Sequence, residues 1–115
     1  MRKHHVGAVV VLRSSTNIQN ARRIANLAKA QRLPVLGAFG QLVDEGGVIA
    51  YYPSYTEMWA GVARYVSQIL AGAMPATLPV QQPTRFELIV NVKAATALGL
   101  TIPDSLRLRA DRVIQ

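Results

Sequence analysis

The sequence contains no cysteine, and this absence sets the first boundary on what the protein can do. Disulfide bonds and thiolate chemistry are excluded, and a zinc site loses its most common ligand. The two histidines stand side by side as His4 and His5 near the amino terminus. Adjacent histidines do not share a helix face, so we expect neither a metal site nor a catalytic histidine from this pair.

Aromatic residues are also few, at 6%, although the chain carries 13 basic and 6 acidic residues for a net charge of +7. A basic net charge of this kind is also a feature of nucleic-acid-binding proteins. The basic residues are spread along the chain, however, and aromatic residues are not interleaved with a basic run as a single-strand binder requires. We therefore interpret them as solvated helix faces and expect no nucleic-acid partner.

Long apolar runs are missing as well, since no segment approaches the roughly 20 apolar residues of a membrane span. Met1-Arg2-Lys3 could imitate the basic start of a signal peptide, but the apolar run 6–12 is short and ends at Arg13. We expect no signal peptide in this chain, which implies a cytoplasmic location if the chain is the whole product.

What the sequence does contain is an alternation of short apolar runs and helical patterns. The runs 6–12, 34–38, 48–52 and 86–90 predict four strands, and β-branched runs of this kind favour a parallel sheet buried on both faces. The fold class we predict is α/β, layered, with a mainly parallel sheet flanked by helices. The length of 115 residues fits a single α/β domain over residues 1–115.

Capping signals place the helices between these strands. Thr16 with Gln19, and Ser54 with Glu57, have the spacing of capping boxes, and Asn91 can cap a short helix. The helix after Ser54 has an apolar face that includes Trp59 and Tyr65, and a helix that binds a partner is one interpretation. A surface helix needs such a face in any case, so we expect it to pack into the core. Pro103 opens a last helix, which we predict to continue through Ile114.

A search for catalytic groups is negative. The six carboxylates are dispersed, and the serines after the first strand have no nucleophile elbow. Gly46-Gly47 matches neither a phosphate loop nor a dinucleotide fingerprint. We therefore expect a protein that is not an enzyme and uses no cofactor and no metal.

The loops at the carboxyl ends of the strands are the best candidates for a binding site, because ligands of open α/β sheets bind there. These loops are 13–15, 37–40 and 51–54, and they offer hydroxyls, backbone amides and aromatic faces. The mixture suits a small polar or zwitterionic solute. The same residues are equally explained as ordinary connections, and the sequence leaves that alternative open.

Several longer motifs are more specific. They are GGVIAYYPS (46–54), ILAGAMP (69–75), LPVQQPTRFELIVN (78–91), KAATALGLTIP (93–103) and RADRVI (109–114). Together they make the chain, from about Val6 to Gln115, resemble the ABC transporter substrate-binding protein family that includes tryptophan/tyrosine-type binding proteins. The resemblance implies two α/β lobes that close around a solute, a membrane permease with its ATPase as partner, and a periplasmic location.

The chain departs from the family in three respects. Family members are much longer, so the chain corresponds to a C-terminal portion only. A serine-tyrosine-glycine pattern is usual where this chain has Ala50-Tyr51-Tyr52, and Tyr52 could narrow the pocket. The first loop, 13–16, lacks the proline that is often found there.

Two functions follow as hypotheses. In the first, the chain is the truncated solute-binding component of an ABC-type importer for a small polar solute such as an amino acid. Its ligand-binding residues would be Ser14, Ser15 and Phe39 in the pocket wall, with Tyr51, Tyr52 and Ser54 facing the cleft. In the second, it is a non-catalytic truncated domain that self-associates through its exposed inter-lobe face and no longer binds solute.

Overall fold

The computed structural model describes residues 6–115, so the interpretations of Met1–Lys3 and of the His4-His5 pair concern residues outside the described part. The chain divides into two compact units. The first comprises Met1–Tyr52 and Glu87–Gln115, and the second comprises Pro53–Phe86.

A five-stranded sheet organises the first unit, with the strands in the spatial order β1-β2-β3-β4-β5. Neighbouring strands β1 and β2, β2 and β3, and β4 and β5 are parallel. The strands are β1 Val9–Val11, β2 Val35–Gly37, β3 Ile49–Pro53, β4 Phe86–Asn91 and β5 Arg112–Ile114. Asn91 donates to the Val48 carbonyl over 2.8 Å, and Tyr52 lies opposite Glu87, so β4 runs antiparallel to β3. The sheet is therefore mixed but mostly parallel, and the predicted α/β class is confirmed.

In the part of the chain that the structure describes, six helices connect these strands. They are α1 Ser15–Gln19, α2 Ala21–Ala30, α3 Gln41–Asp44, α4 Tyr55–Leu70, α5 Val92–Ala97 and α6 Asp104–Arg109. A short 3-10 turn, Pro75–Thr77, interrupts the proline-containing segment after α4. Within residues 6–115, none of these helices has the length and apolar character that crossing a membrane requires.

The prediction that the last helix continues through Ile114 was wrong. Helix α6 ends at Arg109, and residues 112–114 form the fifth strand instead. Asp111 fixes this change of direction, since its backbone N–H donates to the Leu88 carbonyl and its carboxylate accepts from the Leu88 N–H over 2.8 Å. Pairing with β4 thus overrides the apolar spacing that favoured a helix.

The two predicted capping boxes were also wrong in detail, whereas the Asn91 cap is confirmed. Ser14, not Thr16, accepts from the third residue of its helix, Asn17, over 3.1 Å. Ser54 does precede α4, but its side chain makes no capping bond. The Asn91 carboxamide oxygen accepts from the Ala94 N–H over 2.8 Å.

The core lies where α2 and α3 pack on the sheet. Ala21, Ala25 and Ala28 form the buried stripe of α2, and small side chains there allow the helix to approach closely. Leu42 of α3 is fully buried in the same cluster. Gly47 makes room for it, because a Cβ there would lie 2.8 Å from the Leu42 carbonyl oxygen.

The second unit consists of one long helix and an irregular return. Helix α4 has no buried residue, and Trp59 is 71% exposed, so the expectation that its apolar face packs into the core was wrong for this chain. The segment Pro53–Phe86 supplies no second layer for the helix to pack against. Tyr65 donates its hydroxyl to the Pro79 carbonyl and ties the return segment to α4.

Candidate functional site

The three parallel strands of the first unit end at one edge of the sheet. Val11, Gly37 and Ala50 are partners in register along this edge. The Ala38 N–H also donates to the Val11 carbonyl over 3.1 Å, so the first two loops leave the sheet together. The edge consequently carries five of the six predicted site residues: Ser14, Ser15, Phe39, Tyr51 and Tyr52.

Ser14 and Ser15 are exposed on the loop that follows β1. The Ser14 hydroxyl oxygen accepts from the Asn17 N–H over 3.1 Å, and the Asn17 side chain donates to the Leu12 carbonyl over 2.8 Å. These two bonds fix the loop conformation. Because the Ser14 oxygen acts as an acceptor here, its O–H remains able to donate to a ligand.

Phe39 occupies a different environment from the serines. It is 3% exposed and belongs to the core cluster of β1, α2 and β2. Its ring therefore anchors the loop between β2 and α3 in the core. A contact between Phe39 and a solute stays a prediction from the sequence.

The two adjacent tyrosines of β3 point to opposite faces of the sheet, as alternate residues of a strand do. Tyr51 is 59% exposed, whereas Tyr52 is 8% exposed. The Tyr52 hydroxyl donates to a Glu87 carboxylate oxygen over 3.0 Å. A Cβ added at Gly40 would lie 2.7 Å from that hydroxyl oxygen, so Gly40 provides the space that the Tyr52 ring fills.

Burial, followed by the hydrogen bond to Glu87, raises the pKa of Tyr52 from 10.0 to about 12. Both causes favour the neutral phenol, because the ionised form would be poorly solvated and would face a carboxylate. The folded state thus holds the Tyr52 proton more tightly than the unfolded state does.

A pH dependence of stability follows from this difference. Tyr52 stabilises the fold fully below pH 10, and the contribution is lost as the pH rises from 10 toward 12, by about 2–3 kcal/mol in total. Urea unfolding at several alkaline pH values measures the slope. Tyr52→Phe removes the titrating group, so we expect a flatter profile above pH 10 for this variant. Equal slopes for the two proteins would contradict the assignment.

Ser54, the sixth predicted residue, belongs to the second unit and is 3% exposed. Its backbone N–H donates to the Arg85 carbonyl over 2.9 Å, and its carbonyl accepts from Met58 over 3.0 Å. The backbone of Ser54 therefore links the start of α4 to the returning segment.

The sequence placed Gly40 in the loop 37–40 of this edge but did not reveal its contact with Tyr52, and it did not assign Glu87 to the edge. A glycine three residues beyond β2 was a signal for close approach, but its neighbour Tyr52 could be identified only from the fold. Glu87 counted merely as one of the dispersed carboxylates. Among residues 6–115, no group of three or more histidine, aspartate or glutamate side chains could hold a metal ion.

Ligands of open α/β sheets bind beyond the carboxyl ends of the strands, and this chain presents hydroxyl and aromatic side chains there. A family model described as "ABC transporter substrate binding protein" matches residues 1–114. The chain therefore belongs to the ABC transporter substrate-binding protein family, whose members have a binding and transport role and are typically extracytoplasmic.

Solved structures agree with this assignment. A conserved domain protein from Vibrio cholerae is 30% identical with a TM-score of 0.82 over 91% of this chain. An ABC domain from Streptococcus pneumonia in complex with L-Trp is 25% identical with a TM-score of 0.87 over 98%. A ligand-free, open substrate-binding protein with adhesive properties from Clostridium difficile, at 20% identity and a TM-score of 0.66 over 93%, shares the fold.

The match covers a minor part of these structures. The chain spans 36% of the Vibrio and Clostridium proteins and 38% of the Streptococcus protein. A search of curated proteins gave no match.

Proposed function

We propose that the chain is the solute-binding component of an ABC-type importer and takes a small polar solute such as an amino acid. The observation that carries the proposal is the accessible set Ser14, Ser15 and Tyr51 at the carboxyl edge of the sheet. Support also comes from the related Streptococcus domain, which was solved in complex with L-Trp.

The chemistry of the edge fits a zwitterion. Hydroxyl groups of Ser14 and Ser15 can donate to a carboxylate, and the exposed Tyr51 ring offers a face for an ammonium group or an apolar side chain. Phe39 and Tyr52 are buried beneath the edge and hold its backbone in place. No step of bond making or breaking is involved, and we propose that the protein is not an enzyme.

We further propose that the chain corresponds to the C-terminal part of a two-lobed protein. In support, the chain spans 36–38% of the length of the related structures. The apolar stripe of α4, formed by Met58, Val62, Val66 and Ile69, is 41–50% exposed and suits burial against further chain. An ABC permease would be the partner and the periplasm the location.

The stripe also favours a second candidate function, a truncated domain that self-associates. A monomer seldom leaves such a patch bare. Here the occupant of the stripe is a second copy of the chain, and solute binding is lost.

This alternative makes a specific prediction. Placing charges in the stripe with Val62→Glu and Val66→Glu is expected to convert a concentration-dependent dimer into a monomer, because each buried carboxylate would be unpaired. Sedimentation velocity over a range of protein concentrations measures the change. Ala60→Glu with Gln68→Glu adds the same charge on the opposite helix face and should leave the dimer intact. A wild-type chain that stays monomeric at every concentration would reject self-association.

The solute-binding proposal is tested by following backbone amide signals during titration with amino acids, small organic acids and sugars. We expect one chemical class to shift the amides of Ser14, Ser15 and Tyr51 saturably. Shifts confined to other regions, or none at millimolar solute, would count against binding at this edge.

A further inference from the structure

A cavity of about 460 Å³ lies in the first unit, at the edge of the sheet opposite to the candidate solute site. Its lining includes Val35, which begins β2, and Gly46, which precedes β3. It also includes Asn91, which ends the antiparallel strand β4. These positions mark the amino ends of the parallel strands. The cavity is thus a separate site from the edge that carries Ser14 and Tyr51.

Three basic residues line this cavity: Lys29 in the last turn of α2, Arg32 just beyond α2, and Lys93 on α5. Within residues 6–115 none of the three forms an ion pair. Glu45 is the single carboxylate in the lining, and it pairs with Arg22 outside it, with 3.6 Å between Nε and Oε2. The cavity consequently has an excess of positive charge that the described chain does not neutralise.

Arg32 has an unusual backbone conformation for its residue type. Its φ of 55° lies in the left-handed region, and it is the one residue other than glycine with positive φ among those described. The position follows the end of α2, where glycine or asparagine is the usual choice because a Cβ is unfavourable there. An arginine at this point adds a basic residue to the cavity lining despite a cost in stability.

We propose that this cavity binds a phosphate group. A phosphate monoester carries close to two negative charges at neutral pH, which matches a group of cations better than a single carboxylate does. The planar Arg32 guanidinium can bind two phosphate oxygens at once, and the lysines supply further charge. The rest of the lining includes Ala25, Leu33, Ala97 and Leu98, so an organic group attached to the phosphate has an apolar wall to contact.

The test is a titration of the full chain with inorganic phosphate, followed by the backbone amides of Arg32, Lys93 and Ala94. We expect saturable shifts in the wild type. In the double variant Lys29→Gln, Lys93→Gln the phosphate affinity should fall about tenfold or more, since two charge-assisted contacts are lost. The matched variant Arg23→Gln, Arg109→Gln removes the same charge elsewhere and should keep the wild-type affinity. An equal loss in both variants would show unspecific attraction and overturn the proposal.

The variant Arg32→Gly separates the effect on phosphate affinity from the effect on stability. Glycine relieves the left-handed strain, so we expect the melting temperature to rise by about 4 °C or more while phosphate affinity falls. Retained phosphate affinity in Arg32→Gly would contradict the role of the guanidinium.

Two sources of the phosphate monoester are distinguished by comparing glycerol 3-phosphate with vesicles of phosphatidic acid diluted in phosphatidylcholine. Saturable binding of the soluble ester, with vesicle binding unaffected by the lysine variant, supports a free phosphate ester. Vesicle binding that is lost in the lysine variant and kept in the matched variant supports a lipid headgroup. If neither inorganic phosphate, nor the ester, nor the vesicles produce an effect that the lysine variant abolishes, the proposal is overturned.

Discussion

Replacing Leu42 by alanine is expected to lower the free energy of unfolding by about 2–5 kcal/mol, the range for leucine truncations in packed cores. Leu42 has no exposed surface and lies in the cluster that joins α2, α3 and the sheet. A cavity here would be hard to close. Gly47 lies against the Leu42 backbone, and Gly37 lies against the Leu42 side chain. Neither glycine has a side chain that could reorient to fill the space left by the leucine. Urea unfolding measures the change.

Leu108→Ala is the matched control, because the same atoms are removed from a side chain that is 87% exposed. We expect it to change the free energy of unfolding by less than about 0.5 kcal/mol. Similar losses for the two variants would mean that the core does not lie around α3.

Replacing Tyr51 by alanine is expected to weaken solute binding by about tenfold or more, because the accessible aromatic face of the edge is lost. The ring is 59% exposed, so the free energy of unfolding should fall by no more than about 1 kcal/mol. Calorimetric titration with the solute that binds the wild type measures the affinity.

Tyr51→Phe keeps the ring and removes the hydroxyl, so it separates their contributions to solute affinity. Retained affinity in this variant assigns the effect to the ring, and a loss equal to that of alanine assigns it to the hydroxyl. An affinity that Tyr51→Ala leaves unchanged would remove Tyr51 from the site.

Strand positions followed from the sequence because β-branched and aromatic residues are enriched in strands. The segments around Val10, Leu36 and Ala50 were predicted within a few residues of their observed ends. The fifth strand was not predictable in the same way. Val113 lies beside Val90 in the sheet, and nothing local in residues 112–114 distinguishes a strand from the end of an apolar helix stripe.

The candidate site was predictable as a set of loops but not as a set of exposed side chains. Parallel strands bring their carboxyl ends together, which placed Ser14 and Tyr51 at one edge. Which of two adjacent tyrosines is buried depends on the register of β3 against the sheet faces. The contact of Tyr52 with Gly40 and Glu87 joins residues 12 and 35 positions apart, so only the fold reveals it.

Helix α4 shows a different limit of prediction from the sequence. Its apolar spacing predicted a helix correctly, and the observed bounds are Tyr55–Leu70. Spacing alone cannot say whether the partner of an apolar face is present in the same 115 residues. Leu70 at 83% and Trp59 at 71% exposure are apolar side chains that residues 6–115 leave largely uncovered.

The central claim, that this chain binds a small solute, is tested most directly by thermal unfolding in the presence of L-tryptophan, other amino acids, small organic acids and sugars. We predict that one chemical class raises the melting temperature in a saturable manner. A solute at about 100 times its dissociation constant stabilises the folded state by roughly 2.7 kcal/mol, which corresponds to several degrees in a domain of this size. Unchanged melting temperatures with every solute at millimolar concentration would contradict solute binding by this chain.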